Sequence, residues 1–169
     1  MKVRMHGRSL FYPGALVVTL LAAGAATGQG SANPEIPFPD FDRWTHVKSM
    51  VIFDKKHPLY DSFGGVHHVY ANDKALPSTR EKKPYADGSA LAFVLYEARE
   101  ADGAYVQGPR KLTAVVVKDS RRFGSTGGWG FQAWGADKKP LVTDGGESCF
   151  ACHRSGASET DFIFSRFER

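Results

Sequence analysis

Hydrophobic and polar positions alternate along much of this chain, and glycine and proline break it into short stretches. Val47, Ser49, Val51 and Phe53 alternate with Lys48, Met50 and Ile52, a two-residue period that predicts a strand. Residues 66–71, 90–97, 112–118 and 129–134 are rich in β-branched and aromatic side chains and predict four more. Residues 55–65 read as a loop, and 76–87 are polar and end on an Asp87-Gly88 turn. Asp102-Gly103 and Gly108-Pro109 make a hairpin-like connection, and Gly124 to Gly128 a glycine-rich turn. Phe162, Phe164 and Phe167 predict a final aromatic strand. Helices are expected only as short pieces: one capped by Asp40 and carrying Phe41 and Trp44, one at 119–123, and one near residue 150. The pattern is that of a mainly β (α+β) domain, an antiparallel sheet with a few short helices.

The first residues follow another pattern. Lys2, Arg4 and Arg8 precede an apolar stretch, Leu10 to Ala23, and then small residues with an Ala23-Gly24-Ala25 cleavage sequence. This predicts a signal peptide over 1–28, cleaved between about 25 and 32, and a periplasmic protein. An N-terminal membrane anchor fits less well, because Pro13 and Gly14 interrupt a run already short for a span. Residues 29–40 hold Pro34, Pro37 and Pro39 and predict an extended, poorly packed segment; 41–169 form one domain. The chain has 22 basic and 18 acidic residues, but three of the basic ones belong to the leader, which leaves 19 against 18. No nucleic-acid footprint survives that subtraction.

The chemistry is concentrated in Cys149-Phe150-Ala151-Cys152-His153. Two cysteines two residues apart, with a histidine directly after, are the attachment sequence of a c-type haem: each thiol forms a thioether and the histidine becomes an axial ligand. A redox disulfide or half of a zinc site shares the cysteine spacing. The pair lies near the C-terminus, where thioredoxin-like pairs do not, and the chain has no further cysteine to complete a zinc site of the usual kind. One haem c, attached covalently on the exported side of the membrane, explains motif and leader together. Helical haem c proteins fit poorly: residues 154–169 hold no methionine to act as second ligand, and the long amphipathic helices of a four-helix cytochrome are missing from the pattern.

Further stretches carry a resemblance. Val117-Lys118-Asp119-Ser120-Arg121-Arg122-Phe123 with Thr126-Gly127-Gly128-Trp129-Gly130-Phe131, and Thr160-Asp161-Phe162-Ile163-Phe164 with Phe167 after the haem motif, resemble the cytochrome P-460 family. So do Pro39 to Trp44 and Asp87-Gly88-Ser89. The resemblance implies an antiparallel β fold, a homodimer, and a haem held by His153 with an open distal side. In the family's enzymatic branch, which oxidises hydroxylamine, a lysine a few residues past the Asp-Gly turn is cross-linked to the haem. Here Phe93 falls at that place, and residues 90–108 contain no lysine. That resembles the cytochrome c-prime-beta branch, whose gas-binding haem is capped by aromatic side chains; Phe63 falls at the second cap position. An arginine of the enzymatic pocket falls at about His67.

The expectation is an exported haem protein with a five-coordinate iron that binds NO- or CO-type diatomic gases or another small nitrogen oxide, and that meets a redox partner protein. The rival readings are a hydroxylamine-oxidising, NO-oxidising or peroxidase-like enzyme with His67 or His68 as distal acid–base group, and an electron carrier. The carrier needs a sixth ligand, for which Met50, His46 and His57 are the candidates. Taken alone, Phe93 reads as strand core, Phe63 as local loop packing, and each histidine as a core or solvent residue. His67 and His68 point to opposite faces if their stretch is a strand. Trp129, Phe131 and Trp134 read as core, and Lys118 and Arg122 as solvated cations or partners of the haem propionates.

Overall fold

β-Branched and aromatic side chains dominate five stretches, and each is a strand in the computed structural model, which describes residues 35–81 and 83–167. They are β1 (Thr45–Ile52), β2 (Gly65–Ala71), β3 (Ala90–Ala101), β4 (Ala104–Lys118) and β5 (Trp129–Gly135). They lie in one five-stranded sheet in chain order, each pair of neighbours antiparallel. Helix α1 (Tyr60–Phe63) joins β1 to β2, α2 (Leu76–Glu81) lies between β2 and β3, and α3 (Glu147–Ala157) follows β5. The fold is mainly β with a few short helices, as the alternation predicts. Among the described residues no helix is long and apolar enough to cross a membrane.

The β3–β4 hairpin is longer than its sequence suggests. It closes at Asp102-Gly103, whose φ angles of 52° and 79° match the twist that a two-residue hairpin needs. Gly108-Pro109, expected in the connection, lies inside β4. Proline has no N–H to give the ladder, and the register slips between Tyr96 and Ala98, which pair with Arg110 and Gln107.

Register sorts the side chains onto two faces, because residues paired across strands share a side. Val69 pairs with Phe93, Leu91 with Val116, Val116 with Phe131, and Lys118 with Trp129. This face carries the larger core: Val47, Val69, Ala71, Leu91, Trp129 and Phe131, closed by Ala75, Tyr85 and Ile163 from outside the sheet. Burying a side chain such as Phe131 contributes about 1.5–3 kcal/mol. The opposite face carries Val115 and Trp134, packed against Ile36 and Phe123. All three residues expected in the core, Trp129, Phe131 and Trp134, are buried, though on two different faces.

Several local expectations are corrected. The proline-rich segment is extended but well packed from residue 35 on: Ile36 and Pro39 are buried, and Phe38 meets Trp134 edge-on at 5.2 Å. Phe41 to Trp44 is a turn closed by Trp44 N–H on the Phe41 carbonyl, since the alternating run draws Thr45 into β1. The stretch at 119–123 is likewise a turn, with Asp119 Oδ1 accepting from the Arg121 and Arg122 amides, and a 3-10 helix follows at Gly124–Thr126. The polar stretch at 76–87 opens with α2, and the 55–65 loop contains α1. Phe162, Phe164 and Phe167 form no strand. Asp161 and Phe162 are both left-handed, at φ 52° and 64°, which turns the chain back under α3 instead of along a sheet edge. The signal peptide expected over 1–28, and residues 29–34, lie outside the described residues.

One ion pair fixes that turn. Lys118 Nζ, at the end of β4, donates to Asp161 Oδ1 at 2.8 Å, with side chains only 10% and 17% exposed. Replacing Asp161 with alanine leaves a buried ammonium without its counter-charge and should cost about 3 kcal/mol in denaturant unfolding. Combining Asp161→Ala with Lys118→Met should recover most of that loss.

Candidate functional site

Helix α3 begins where the cysteine motif begins, for local reasons. Asp144 supplies both oxygens to its start: Oδ1 accepts from Gly146 N at 2.9 Å and Oδ2 from Ser148 N at 3.0 Å. Gly146 takes the left-handed conformation just before the first turn, at φ 86°. Glu147 in the first turn and Arg154 in the last complement the helix dipole. Cys149 and Cys152 are one turn apart, and His153 is one turn beyond Cys149, so the helix presents them as neighbours. Both thiols are free. Cys149 packs against the larger core, and burial, reinforced by the charge of Asp144, pushes its thiol up; Cys152 is exposed.

The imidazole of His153 is held from three sides. Its Nδ1 lies 2.6 Å from the Phe162 carbonyl oxygen, and the rings of Phe131 and Phe164 meet it edge-on at 5.0 and 4.9 Å. A carbonyl only accepts, so Nδ1 carries the proton and Nε2 keeps its lone pair. Burial holds this histidine below the usual imidazole range, and the bond to Phe162 works against that shift. Two free thiols beside an imidazole with an unprotonated Nε2 are the donor set that a covalently attached haem needs, and the residues present fit the group. The sequence gives no sign of the Phe162 carbonyl, because a backbone atom leaves no mark in side-chain identity.

Phe93 stands on β3, on the sheet face against which Cys149 also packs. Phe63, at the end of α1, meets it edge-to-face with centroids 5.7 Å apart and planes at 80°. The two side chains singled out as a cap are therefore in contact although 30 residues apart in the sequence. Their approach depends on the turn after α1. Lys111 Nζ donates to the Gly64 carbonyl at 2.7 Å, and Gly65 has φ 139°, where a Cβ would run into the Tyr96 carbonyl oxygen.

His67 joins this group and His68 does not. The His67 ring lies 4.8 Å from that of Phe93, tilted by 38°, and the residue is 4% exposed. Its Nδ1 is buried with no hydrogen-bond partner among the described residues. Burial, with the charges of His68 and Lys48, pushes its pKa down to about 4. His68 points to the other face, as alternation requires, and is hydrogen-bonded to Ser49 Oγ at 2.6 Å and to Gln107 Oε1 at 2.9 Å. His46 shares the Ser49 hydroxyl, and His57 accepts the Leu59 amide in its own loop. Met50 is exposed on β1, opposite His67 in register. Lys118 is committed to Asp161 and the Gly127 carbonyl, and Arg122 lies beside Asp119 and donates to the Glu35 carbonyl.

A model of the cytochrome P-460 family matches residues 38–165, which include every residue of this site. The chain belongs to that family of haem-binding proteins. No curated protein matches it.

His67 makes stability depend on pH. An unfolded imidazole titrates near 6.5 and the folded one near 4, so between those values the unfolded chain binds more protons. Stability contributed by the neutral ring is present above about pH 7 and lost as pH falls toward about 4, by at most about 3 kcal/mol. In His67→Leu the unfolding midpoints at about pH 7 and about pH 5 should lie closer together than in the parent protein.

Proposed function

We propose that this member of the cytochrome P-460 family is an exported c-type haem protein that binds neutral diatomic gases, nitric oxide above all, to sequester, sense or detoxify them. The contact between Phe63 and Phe93 carries this reading. It sets an all-carbon surface on the sheet face that the cysteine-bearing helix also packs against, in a stretch of β3 and β4 that has no lysine between residues 90 and 108.

In this reading Cys149 and Cys152 would hold the haem through thioethers, and His153 would bind its iron through Nε2. The haem, when bound, supplies the metal centre that takes up the gas. The protein supplies orientation and exclusion. The Phe162 carbonyl keeps the proton on Nδ1 of His153, and Phe131 and Phe164 fix the plane of the ring. Phe63 and Phe93 offer no strong donor or acceptor, so water, hydroxide and anions gain no hydrogen bond from these two side chains, whereas an uncharged gas forfeits little by leaving water. In this reading Phe93 takes the place of the cross-linking lysine and the chain goes with the cytochrome c-prime-beta branch, which the absence of lysine from residues 90–108 supports. The reading extends to a leader over 1–28 that delivers the protein to the periplasm, a domain over 41–169, and a homodimer.

Two measurements test it together. Mass spectrometry of the haem peptide should show attachment through Cys149 and Cys152 and no third bond. Absorption and resonance Raman spectra of the ferrous protein should show a five-coordinate iron that takes up NO and CO. A six-coordinate ferrous protein that binds neither gas, or a lysine cross-link, would overturn the reading.

A further inference from the structure

The proposed cap contains a buried ring nitrogen, Nδ1 of His67, that has no hydrogen-bond partner among the described residues. His67 stands on β2 on the same sheet face as Phe93, with its ring against the Phe93 ring. Its cross-strand neighbours are Leu95 and Met50, and neither offers a hydrogen-bonding side-chain oxygen or nitrogen. His68, next in sequence, is bonded to Ser49 on the far side of the sheet, while the half-buried Lys48, paired with Val69 on the same face as His67, acts on the ring through its charge. Buried nitrogens in native folds are nearly always paired, so one left over at a ligand pocket points to a ligand or an ordered water.

Resting on the gas-binding reading, we propose that His67 is a hydrogen-bonding residue of the gas pocket, favouring a diatomic ligand that gathers negative charge on its outer atom, such as nitric oxide, over carbon monoxide. A neutral imidazole carries one N–H whichever tautomer it takes, so the ring can donate without a net charge on the pocket. The phenylalanines exclude solvent, and a donor beside them discriminates between ligands more sharply than it would in water. His67 thus makes a ligand contact, while Phe93, packed on its ring, fixes where that contact is made.

The ferrous haem-loaded protein, His67→Leu and His67→Gln are compared as their CO and NO complexes. The C–O and N–O stretching frequencies are recorded in H2O and D2O, and the NO release rates are measured. The parent should show a solvent-isotope shift and stretches below those of His67→Leu. The leucine variant should release NO about tenfold faster, and the glutamine variant should recover part of the difference. If both gases bind but the stretches are the same in parent and His67→Leu, with no isotope shift, His67 is not a ligand contact and the gas pocket stands without it. If neither gas binds, the gas-binding reading falls and this inference with it. Should His67→Leu fail to fold, the isotope shift in the parent protein decides alone.

Discussion

The bond between Lys118 and Asp161 is the constraint on which the site geometry rests. Lys118 Nζ reaches Asp161 Oδ1 at 2.8 Å, donates to the Gly127 carbonyl at 3.2 Å, and lies 5.0 Å from the centre of the buried Trp129 ring. The other oxygen of Asp161 accepts the Tyr85 amide at 2.9 Å. A largely desolvated pair of this kind adds little net stability over an apolar pair of the same size. Its value is positional. Asp161 and Phe162 are held in left-handed backbone, and the Phe162 carbonyl is thereby aimed at His153 Nδ1. An ion pair at the end of β4 thus sets which nitrogen of an imidazole on α3 keeps its lone pair.

The sheet does the rest by separating two environments one residue apart. Strand alternation sends His67 into an apolar setting and His68 into a network with Ser49 and Gln107. The same side chain type therefore meets opposite fates, one desolvated and kept neutral, the other hydrogen-bonded at both ring nitrogens. The N-terminal segment packs on the His68 side, through Ile36 and Phe38, and leaves the Phe93 side to Phe63, to Ala75 and Tyr85 between β2 and β3, and to the elements that follow β5.

What the sequence made legible follows from how far each signal reaches. Strands were readable because alternation repeats over several residues, and α3 because its cysteine motif is local. Helices α1 and α2, of four and six residues, are too short for a helical period to register. Phe162, Phe164 and Phe167 have strand-like spacing but use it to reach Phe150, His153 and Arg80 around a left-handed turn. Lys118 looked like a free cation because its partner lies 43 residues away. Phe63 and Phe93 could be paired only through family resemblance, since nothing local links a loop residue to a strand residue. The Phe162 carbonyl could not be found at all, since any residue there would offer the same atom.

The two halves of the proposed cap differ in stiffness, and that difference bears on how a ligand would pass them. Phe93 belongs to β3, which is hydrogen-bonded to β2 on one side and β4 on the other, so its backbone moves only with the sheet. Phe63 sits on a single helical turn, 37% exposed, with the Phe93 ring as its aromatic contact. Its placement relies on the bond from Lys111 to the Gly64 carbonyl and on a glycine at 65. Opening at Phe63 disturbs a few side-chain contacts and one lysine bond, whereas opening at Phe93 breaks a strand ladder. A cap built this way yields on the loop side, and the residue that stays in place, Phe93, is the one against which His67 is packed.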